Sequence, residues 1–212
     1  MYALLRLQFD LQKKTLLFLL VGLFIILILF SSAIPTSLPF IAFILSTNLS
    51  MILTFLSNKN FYYLLHTMPL KRESIVKSSI LSSFLLVIII YTIVLPFQIK
   101  EGIAQENIHE SAGFFIGFFS SSLLANVVQH YFIFTNEKLQ ISSGENILAL
   151  VGTIFVVMVP HAIFCLIGSE ETFYLRMMIM PLITCFLYYL ILKKTVRHYK
   201  NKEVFWGVFY SL

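Results

Sequence analysis

Long apolar runs separated by short polar segments are the main pattern of the chain. The runs cover about residues 15–32, 39–56, 78–97, 112–134, 147–167 and 173–192. A helix needs roughly 17–25 apolar residues to cross the hydrocarbon core of a bilayer, and each run has about that length. The pattern therefore predicts an all-α integral membrane fold of six transmembrane helices, with Pro160 interrupting the fifth.

Two further segments have amphipathic patterns. Residues 1–14 place leucines on one helical side and charged residues roughly opposite, which predicts an N-terminal interfacial helix that leads into the membrane. Residues 58–77, the longest polar interruption, hold apolar residues at i, i+3, i+4 and i+7. Asn60 suits the N-cap of such a helix, and Pro69 ends it. A solvated loop that only tethers two spans is the alternative.

The 58–77 segment has two distinct sides and a basic continuation. Its apolar stripe consists of Phe61, Leu64, Leu65 and Met68. The other side consists of Tyr62, Tyr63, His66 and Thr67, and the basic residues that follow are Lys71, Arg72 and Lys77. We therefore predict a short helix on the membrane surface that offers aromatic and polar side chains to a partner protein.

Composition places the whole chain in the membrane. Of the 212 residues, 58% are hydrophobic and 12% are charged, whereas a soluble domain has about 25% charged residues. Residues 1–212 are therefore expected to form a single transmembrane domain. Cys165 and Cys185 lie inside apolar runs without metal-ligand spacing, so we expect two buried small side chains and not a disulfide.

The basic residues are distributed unequally between the two sides of the membrane. The termini and the segments 58–77 and 135–146 hold every Lys and Arg except Lys100 and Arg176, and the opposite segments carry five glutamates. By the positive-inside rule, both termini and the 58–77 segment are predicted to be cytoplasmic. The net charge of +5 therefore reflects topology, and we expect no nucleic-acid partner.

The predicted spans lack charged residues in their middle. Proton-coupled carriers, pumps and voltage sensors need ionisable groups at membrane depth, so the sequence argues against these classes. The chain has no G-x-x-x-x-G-K-[ST] phosphate loop, so it is not expected to hydrolyse ATP by that route. We expect no cofactor or metal on this chain, and the energy for any active transport would come from another polypeptide.

The fourth span carries a stripe of small residues and a polar cluster. Gly113, Gly117, Ser121 and Ala125 recur every four residues and predict a ridge that another helix can approach closely. Packing within the chain is favoured over a subunit seam. Asn126, Gln129 and His130 follow on one side, and Ser82 belongs to a serine-rich start of the third span. These polar groups either form interhelical hydrogen bonds or line a translocation path, and the sequence leaves both alternatives open.

One enzymatic pattern is present in weakened form. Glu170, Glu171 and Arg176, with His161 nearby, are similar to the paired-glutamate motif of intramembrane CAAX-type proteases. Four residues separate the pair from the arginine here, where that motif has three. The pair also falls in a short outer turn, which implies no dry catalytic pocket. The protease interpretation is therefore disfavoured.

The order of these elements resembles ABC-2 type permeases, the membrane half of ABC exporters. The most specific likeness is residues 61–78, in which a short helix meets Met68-Pro69-Leu70, polar and basic residues, and then Ile75-Val76 before the third span. Leucine is common in that family where Met68 stands. The likeness in topology covers essentially the whole chain, and the phenylalanine-, isoleucine- and lysine-rich composition suits the small permeases of phenol-soluble modulin and bacteriocin exporters.

The resemblance implies a function and an assembly. The 58–77 segment would hold a coupling helix seated on a separate ATPase subunit, which binds ATP and Mg, and two permease chains, identical or related, would assemble with two ATPases in a bacterial cell membrane. Residues 160–172 have room for a re-entrant outer segment. The exported substrate is expected to be amphipathic, a peptide or a lipid-like molecule. A non-transporting membrane assembly or immunity protein is the alternative.

Overall fold

The structure, a computed structural model, describes residues 17, 21, 22, 25, 38–53, 71–104, 106, 108–135, 143–167 and 171–201. Five long helices account for almost all of these residues, and no strand occurs among them. The helices are α1 (Leu38–Leu53), α2 (Arg72–Ala104), α3 (Ile108–Thr135), α4 (Ser143–Ile167) and α5 (Glu171–Asn201). The predicted all-α fold class is confirmed.

Within the described ranges, three helical stretches are long and apolar enough to cross a membrane, namely Arg72–Ala104, Ser111–Thr135 and Met178–Lys200. Shorter apolar stretches lie in α1 at Leu38–Leu49 and in α4 at Gly144–Val157. These helices are those of a membrane protein, as the apolar runs predicted. The count of six spans stays a prediction, because most of residues 15–32 lie outside the described ranges. The predicted interfacial helix at 1–14 also lies outside them.

The helices continue beyond the apolar runs that predicted them. α2 has 33 residues and so is about 50 Å long, whereas the hydrocarbon core of a bilayer is about 30 Å thick. The polar segment after residue 97 is therefore mostly helical, and the chain reverses at Glu106, whose φ of 56° lies in the left-handed region.

The predicted interruption at Pro160 is wrong for the backbone, because α4 is one continuous helix from Ser143 to Ile167. A proline removes a single N–H donor, and helices in membranes accommodate that loss. Pro96 and Pro181 likewise lie inside α2 and α5. Of the segment 160–172, residues 168–170 lie outside the described ranges, so the re-entrant outer segment stays a prediction.

Helix α3 is the centre of the bundle, and it packs against each of the other four helices. In its most apolar stretch 56% of the residues are buried, against 11% for α5. One apolar cluster joins α1, α2 and α3 around Val87 and Ile90. A second joins α2, α3 and α5 around Phe134 and Tyr199, whose rings meet edge to face at 5.0 Å. Side chains placed on α3 are therefore enclosed, and those on the outer side of α5 are not.

The predicted burial of Cys185 is wrong. It lies in an apolar run and was expected to be buried, but it is an exposed free thiol on α5. In a lipid environment an apolar run does not distinguish the side that faces the bundle from the side that faces outward.

Helices α2 and α3 form an antiparallel hairpin that is closed at the turn by polar contacts. Gln98 Nε2 donates a hydrogen bond to Ser111 Oγ at 2.6 Å. Gly102 lies beside the same serine, and a Cβ added at Gly102 would come within 3.2 Å of Ser111 Cβ and 3.3 Å of Ile108 Cα. The two backbones can approach this closely only because residue 102 has no side chain.

Replacing Gly102 with valine is expected to destabilise the protein by about 1–3 kcal/mol, because the new side chain overpacks the hairpin turn against main-chain atoms of α3. The matched control is Gly152→Val in α4, where an added Cβ meets nothing within 4 Å. The measurement is the free energy of unfolding in mixed micelles. Equal losses for the two variants would contradict a specific close approach at Gly102.

Candidate functional site

The polar side chains predicted to lie together on the fourth span are enclosed at the centre of the bundle. Asn126, Gln129 and His130 are spaced i, i+3 and i+4, which places them on one side of α3. Their exposed fractions are 0%, 1% and 0%. We call these three residues the polar cluster. Because α3 contacts each of the other four described helices, the cluster lies at the centre of the bundle.

His130 uses both of its ring nitrogens in hydrogen bonds, Nδ1 within α3 and Nε2 across to α2. Nδ1 lies 2.8 Å from the main-chain oxygen of Asn126. A carbonyl oxygen only accepts, so Nδ1 carries the proton and Nε2 of the neutral ring accepts. Ser83 Oγ lies 3.2 Å from Nε2 and therefore donates to it. The contact fixes one tautomer of His130 and ties the two longest apolar spans together.

Gln129 links α3 to α4. Its Nε2 donates to Asn146 Oδ1 at 2.7 Å. The other amide atom, Oε1, is buried and has no hydrogen-bond partner among the residues described. Gln129 therefore satisfies half of its amide through an interhelical contact, as the hydrogen-bonding alternative predicted for this span.

Asn126 differs from its two neighbours. Both Oδ1 and Nδ2 are buried and lack a hydrogen-bond partner within the described ranges. A buried amide without hydrogen bonds is costly, and such groups are rare in native proteins. Ser79 Oγ, one helical turn from Ser83, is also buried without a partner in that part of the chain. Stability alone does not explain an amide at position 126.

The remaining predicted residues of the fourth and third spans lie near this cluster but do not join it. Ser82 Oγ donates to the main-chain oxygen of Ser79 in its own helix at 2.8 Å. The small-residue ridge comprises Gly113, Gly117, Ser121 and Ala125, and all four residues are buried within the chain. Packing within the chain requires this burial. The translocation-path role of Ser82 and the cluster stays a prediction.

The polar cluster contains neutral hydrogen-bonding groups only. Such groups can form hydrogen bonds with another neutral amide or hydroxyl, and they offer no charge to an ion. The Ser83–His130 contact has the atoms of a nucleophile and a base, but both side chains are buried and the histidine is oriented by a main-chain carbonyl. Among the described residues, no group of three or more His, Cys, Asp or Glu could hold a metal ion. Glu170 of the protease pattern lies outside the described ranges, and Glu171 opens α5.

The basic residues gather at one end of the bundle, which we call the basic end. Lys77 at the start of α2 and Leu192 near the end of α5 line the same groove. Lys194 Nζ lies 5.2 Å from the centre of the Tyr131 ring near the end of α3. The Gln129–Asn146 contact brings the start of α4 to this end as well. The hairpin turn with Glu106 lies at the opposite end of α2 and α3.

The predicted coupling helix lies outside the described ranges, which resume at residue 71. The residues concerned are Phe61, Tyr62, Tyr63, Leu64, Leu65, His66, Met68 and Pro69. The two predicted rim residues are described. Lys71 is exposed immediately before α2, and Arg72 is half-buried as its first residue. The 58–77 segment therefore enters the bundle at the basic end.

Sequence reasoning missed one junction. Tyr91 of α2 is 2% exposed, and its hydroxyl lies 2.8 Å from Ser122 Oγ of α3 and 3.3 Å from the main-chain oxygen of Pro39 in α1. The ring meets Phe115 and Phe119 edge to face at 5.4 and 5.1 Å. A tyrosine within an apolar run is the only signal for such a junction, since its hydroxyl needs a partner when buried.

Comparison with protein-family models, with characterised proteins and with solved structures found no match to this chain.

Proposed function

We propose that the chain is the membrane-spanning permease subunit of an ATP-driven ABC exporter of the ABC-2 type. One observation carries the proposal. The 58–77 segment, whose sequence has the coupling-helix pattern, enters α2 at the basic end of an all-helical bundle. By the positive-inside rule this end is cytoplasmic, so the segment lies on the side where a separate ATPase subunit binds ATP and Mg.

A mechanical route leads from that segment to the polar cluster. Residues 72–77 of that segment are already the first residues of α2, which is one continuous helix of 33 residues. A displacement at the segment therefore moves α2 as a whole. Ser83 on α2 contacts His130, so the displacement reaches the polar cluster directly. ATP binding would draw the cytoplasmic faces together and rearrange these contacts.

The chemistry of the interior supports an amphipathic substrate. The buried polar side chains in the described ranges are serine, threonine, asparagine, glutamine and histidine, without Lys, Arg, Asp or Glu. Moving an ion across such an interior is unfavourable, because ionisable partners at depth are needed. A peptide or lipid-like molecule, such as a phenol-soluble modulin or a bacteriocin, suits neutral hydrogen-bonding groups between apolar walls.

The assembly we propose contains two permease chains, identical or related, with two ATPase subunits. The outward side of α5 offers a broad apolar surface to a second chain or to membrane lipids. Its most exposed residues are Met178 at 68%, Leu182 at 66% and Phe186 at 63%. The bacterial cell membrane is the proposed location, with both termini cytoplasmic.

The triple substitution of Tyr62, Tyr63 and His66 with alanine is expected to release the ATPase or to uncouple its hydrolysis from transport. Aromatic anchors contribute most of the binding free energy of helix-in-groove interfaces, whereas charges at the rim mainly change the association rate. Lys71→Ala at the rim is the matched control and should have much less effect. The measurements are co-purification of the ATPase and substrate-stimulated ATP turnover in membranes.

Two outcomes decide against the proposal. If the triple variant binds the ATPase and turns over ATP as the wild type does, the 58–77 segment does not hold a coupling helix. Absence of any co-purifying ATPase with the wild-type chain would favour the non-transporting membrane assembly or immunity protein, for which the interhelical contacts of Gln129 and His130 would serve only to hold the bundle together.

A further inference from the structure

An apolar groove runs between α2 and α5 on the outer surface of the bundle. Its volume is about 270 Å³. The walls are side chains at i, i+3, i+4 and i+7 along α2 and at i and i+4 along α5, namely Lys77, Ile80, Leu81, Phe84, Tyr188 and Leu192. The Phe84 and Tyr188 rings meet at 5.8 Å and close the groove at the end away from Lys77.

The charge of the groove is confined to one end. Among the described residues that line the groove, Lys77 is the only charged one. It forms an i, i+4 ion pair with Glu73, and both side chains remain nearly half exposed, at 46% and 44%. Lys200 near the end of α5 and Lys71 also attract the Glu73 carboxylate. The carboxylate at the opening is therefore paired with Lys77 and lies in the positive field of two further lysines.

The wider surroundings of this opening are also basic. At the described starts of α2 and α4 and the end of α5, the acidic residues are Glu73 and Glu145. The basic residues there are Lys71, Arg72, Lys77, Lys193, Lys194, Arg197 and Lys200. An exposed ion pair such as Lys77–Glu73 is weak, and an ammonium has three donors. Lys77 can therefore bind a second acceptor while it keeps Glu73.

The groove lies at the depth where a phospholipid would fit it. The apolar run of α2 begins at residue 78 and that of α5 ends at residue 192, so Lys77 lies at the boundary between the apolar runs and the basic end. Its long stem lets the ammonium reach the headgroup layer. Below it, Ile80, Leu81 and Leu192 present aliphatic walls to an acyl chain.

We propose that the α2–α5 groove is a binding site for an anionic phospholipid of the membrane leaflet at the basic end. The acyl chain lies along the apolar walls, and Lys77 and Lys200 bind the headgroup phosphate. Charge complementarity favours this occupant, because a zwitterionic headgroup would bring an ammonium into an already basic opening. This lipid site is separate from the proposed export function. It requires that the chain lies in a membrane, and it does not depend on an ATPase partner.

The test uses the full chain reconstituted in vesicles with equal amounts of phosphatidylglycerol and phosphatidylcholine, extracted in mild detergent and examined by native mass spectrometry. Phosphatidylglycerol is expected to be retained preferentially. Lys77→Gln should lower its retention roughly fivefold, the effect of one lysine near an anionic membrane surface. Lys193→Gln, which changes an exposed lysine outside the groove, is the matched control and should retain the wild-type amount.

Equal retention of the two lipids by the wild type would overturn the proposal. Equal losses for Lys77→Gln and Lys193→Gln would also overturn it, because the attraction would then be a diffuse property of the basic end. The apolar part is tested with Leu81→Trp, which fills the groove and should displace the lipid. Leu95→Trp, on the same outer side of α2 and 40% exposed, should retain it. Only folded, monodisperse protein is compared, so misfolding does not imitate loss of lipid.

A second copy of the chain is the rival occupant, and cysteine cross-linking distinguishes it. Leu81→Cys is placed in a background with Cys165→Ser and Cys185→Ser. A lipid-filled groove predicts no dimer linked through position 81 in native membranes. Efficient formation of such a dimer would assign the groove to a subunit interface and overturn the lipid site.

Discussion

Replacing Asn126 with leucine is expected to stabilise the protein by about 1–3 kcal/mol while it strongly reduces export. The Asn126 amide is fully buried, and neither of its polar atoms has a hydrogen-bond partner among the described residues. Leucine has the same number of side-chain heavy atoms and the same branching as asparagine, and it removes the unsatisfied polar group. The folded state therefore no longer carries the free-energy cost of burying an amide without hydrogen bonds. If the polar cluster lines a path, Asn126 is the residue of the cluster whose amide has both polar atoms unpartnered among the described residues, and its loss should therefore reduce export.

The matched comparison is His130→Leu on the next turn of the same helix. There the substitution leaves the buried hydroxyl of Ser83 without its acceptor, so we expect a loss of about 0.6–2 kcal/mol, the range for hydrogen bonds between membrane helices. Gln129→Leu should behave like His130→Leu, because Asn146 loses its donor. The measurements are the free energy of unfolding in mixed micelles and export by cells with equal protein levels.

These variants separate a path from a packing contact. If the polar cluster lines a path, Asn126→Leu gives a more stable protein that exports poorly. If the cluster only packs the bundle, stability and export change together in all three variants. A destabilised Asn126→Leu variant would contradict our interpretation of the amide, and a stabilised variant with normal export would remove Asn126 from the path.

Hydropathy predicted the helices well and their ends poorly, for one physical reason. Only a helix satisfies the main-chain polar groups of a single segment in lipid, so each long apolar run must be helical there. Outside the hydrocarbon core the helix is free to continue, and hydropathy carries no signal about where it stops. α2 and α5 therefore extend well beyond residues 78–97 and 173–192, to 104 and 201.

The polar cluster was predictable in part. The spacing of Asn126, Gln129 and His130 determines that they share one side of a helix. Their partners, Ser83 on α2 and Asn146 on α4, were not predictable, because the register of α3 against each of these helices is a property of the folded bundle, and a shift of a few residues would exchange every contact. The unpartnered state of the Asn126 amide is likewise a property of the packed bundle and leaves no mark in the sequence.

The Tyr91 junction was missed because one tyrosine in an apolar run has no periodic pattern. Its hydroxyl lies between Ser122 of α3 and the main chain at Pro39. The Tyr91 hydroxyl donates to the main-chain oxygen of Pro39. Either hydroxyl can be the donor in its contact with Ser122 Oγ, which also lies 2.9 Å from the main-chain oxygen of Phe118. One side chain thus joins the three helices that pack around the first apolar cluster.

Tyr91→Ala is expected to destabilise the protein by about 3 kcal/mol or more, because it opens a cavity among three helices and removes two edge-to-face ring contacts. Tyr91→Phe is the matched control. It keeps the ring and loses only the hydroxyl contacts, so a loss of about 0.5–1.5 kcal/mol is expected, with Ser122 still bonded to Phe118. Both are measured as free energies of unfolding in mixed micelles, with crosslinking between cysteines introduced in α1 and α3 as a readout of helix separation. Similar losses for the two variants would place the stabilisation in the hydroxyl contacts, and a near-neutral Tyr91→Ala would show that α1 docks on the bundle without this junction.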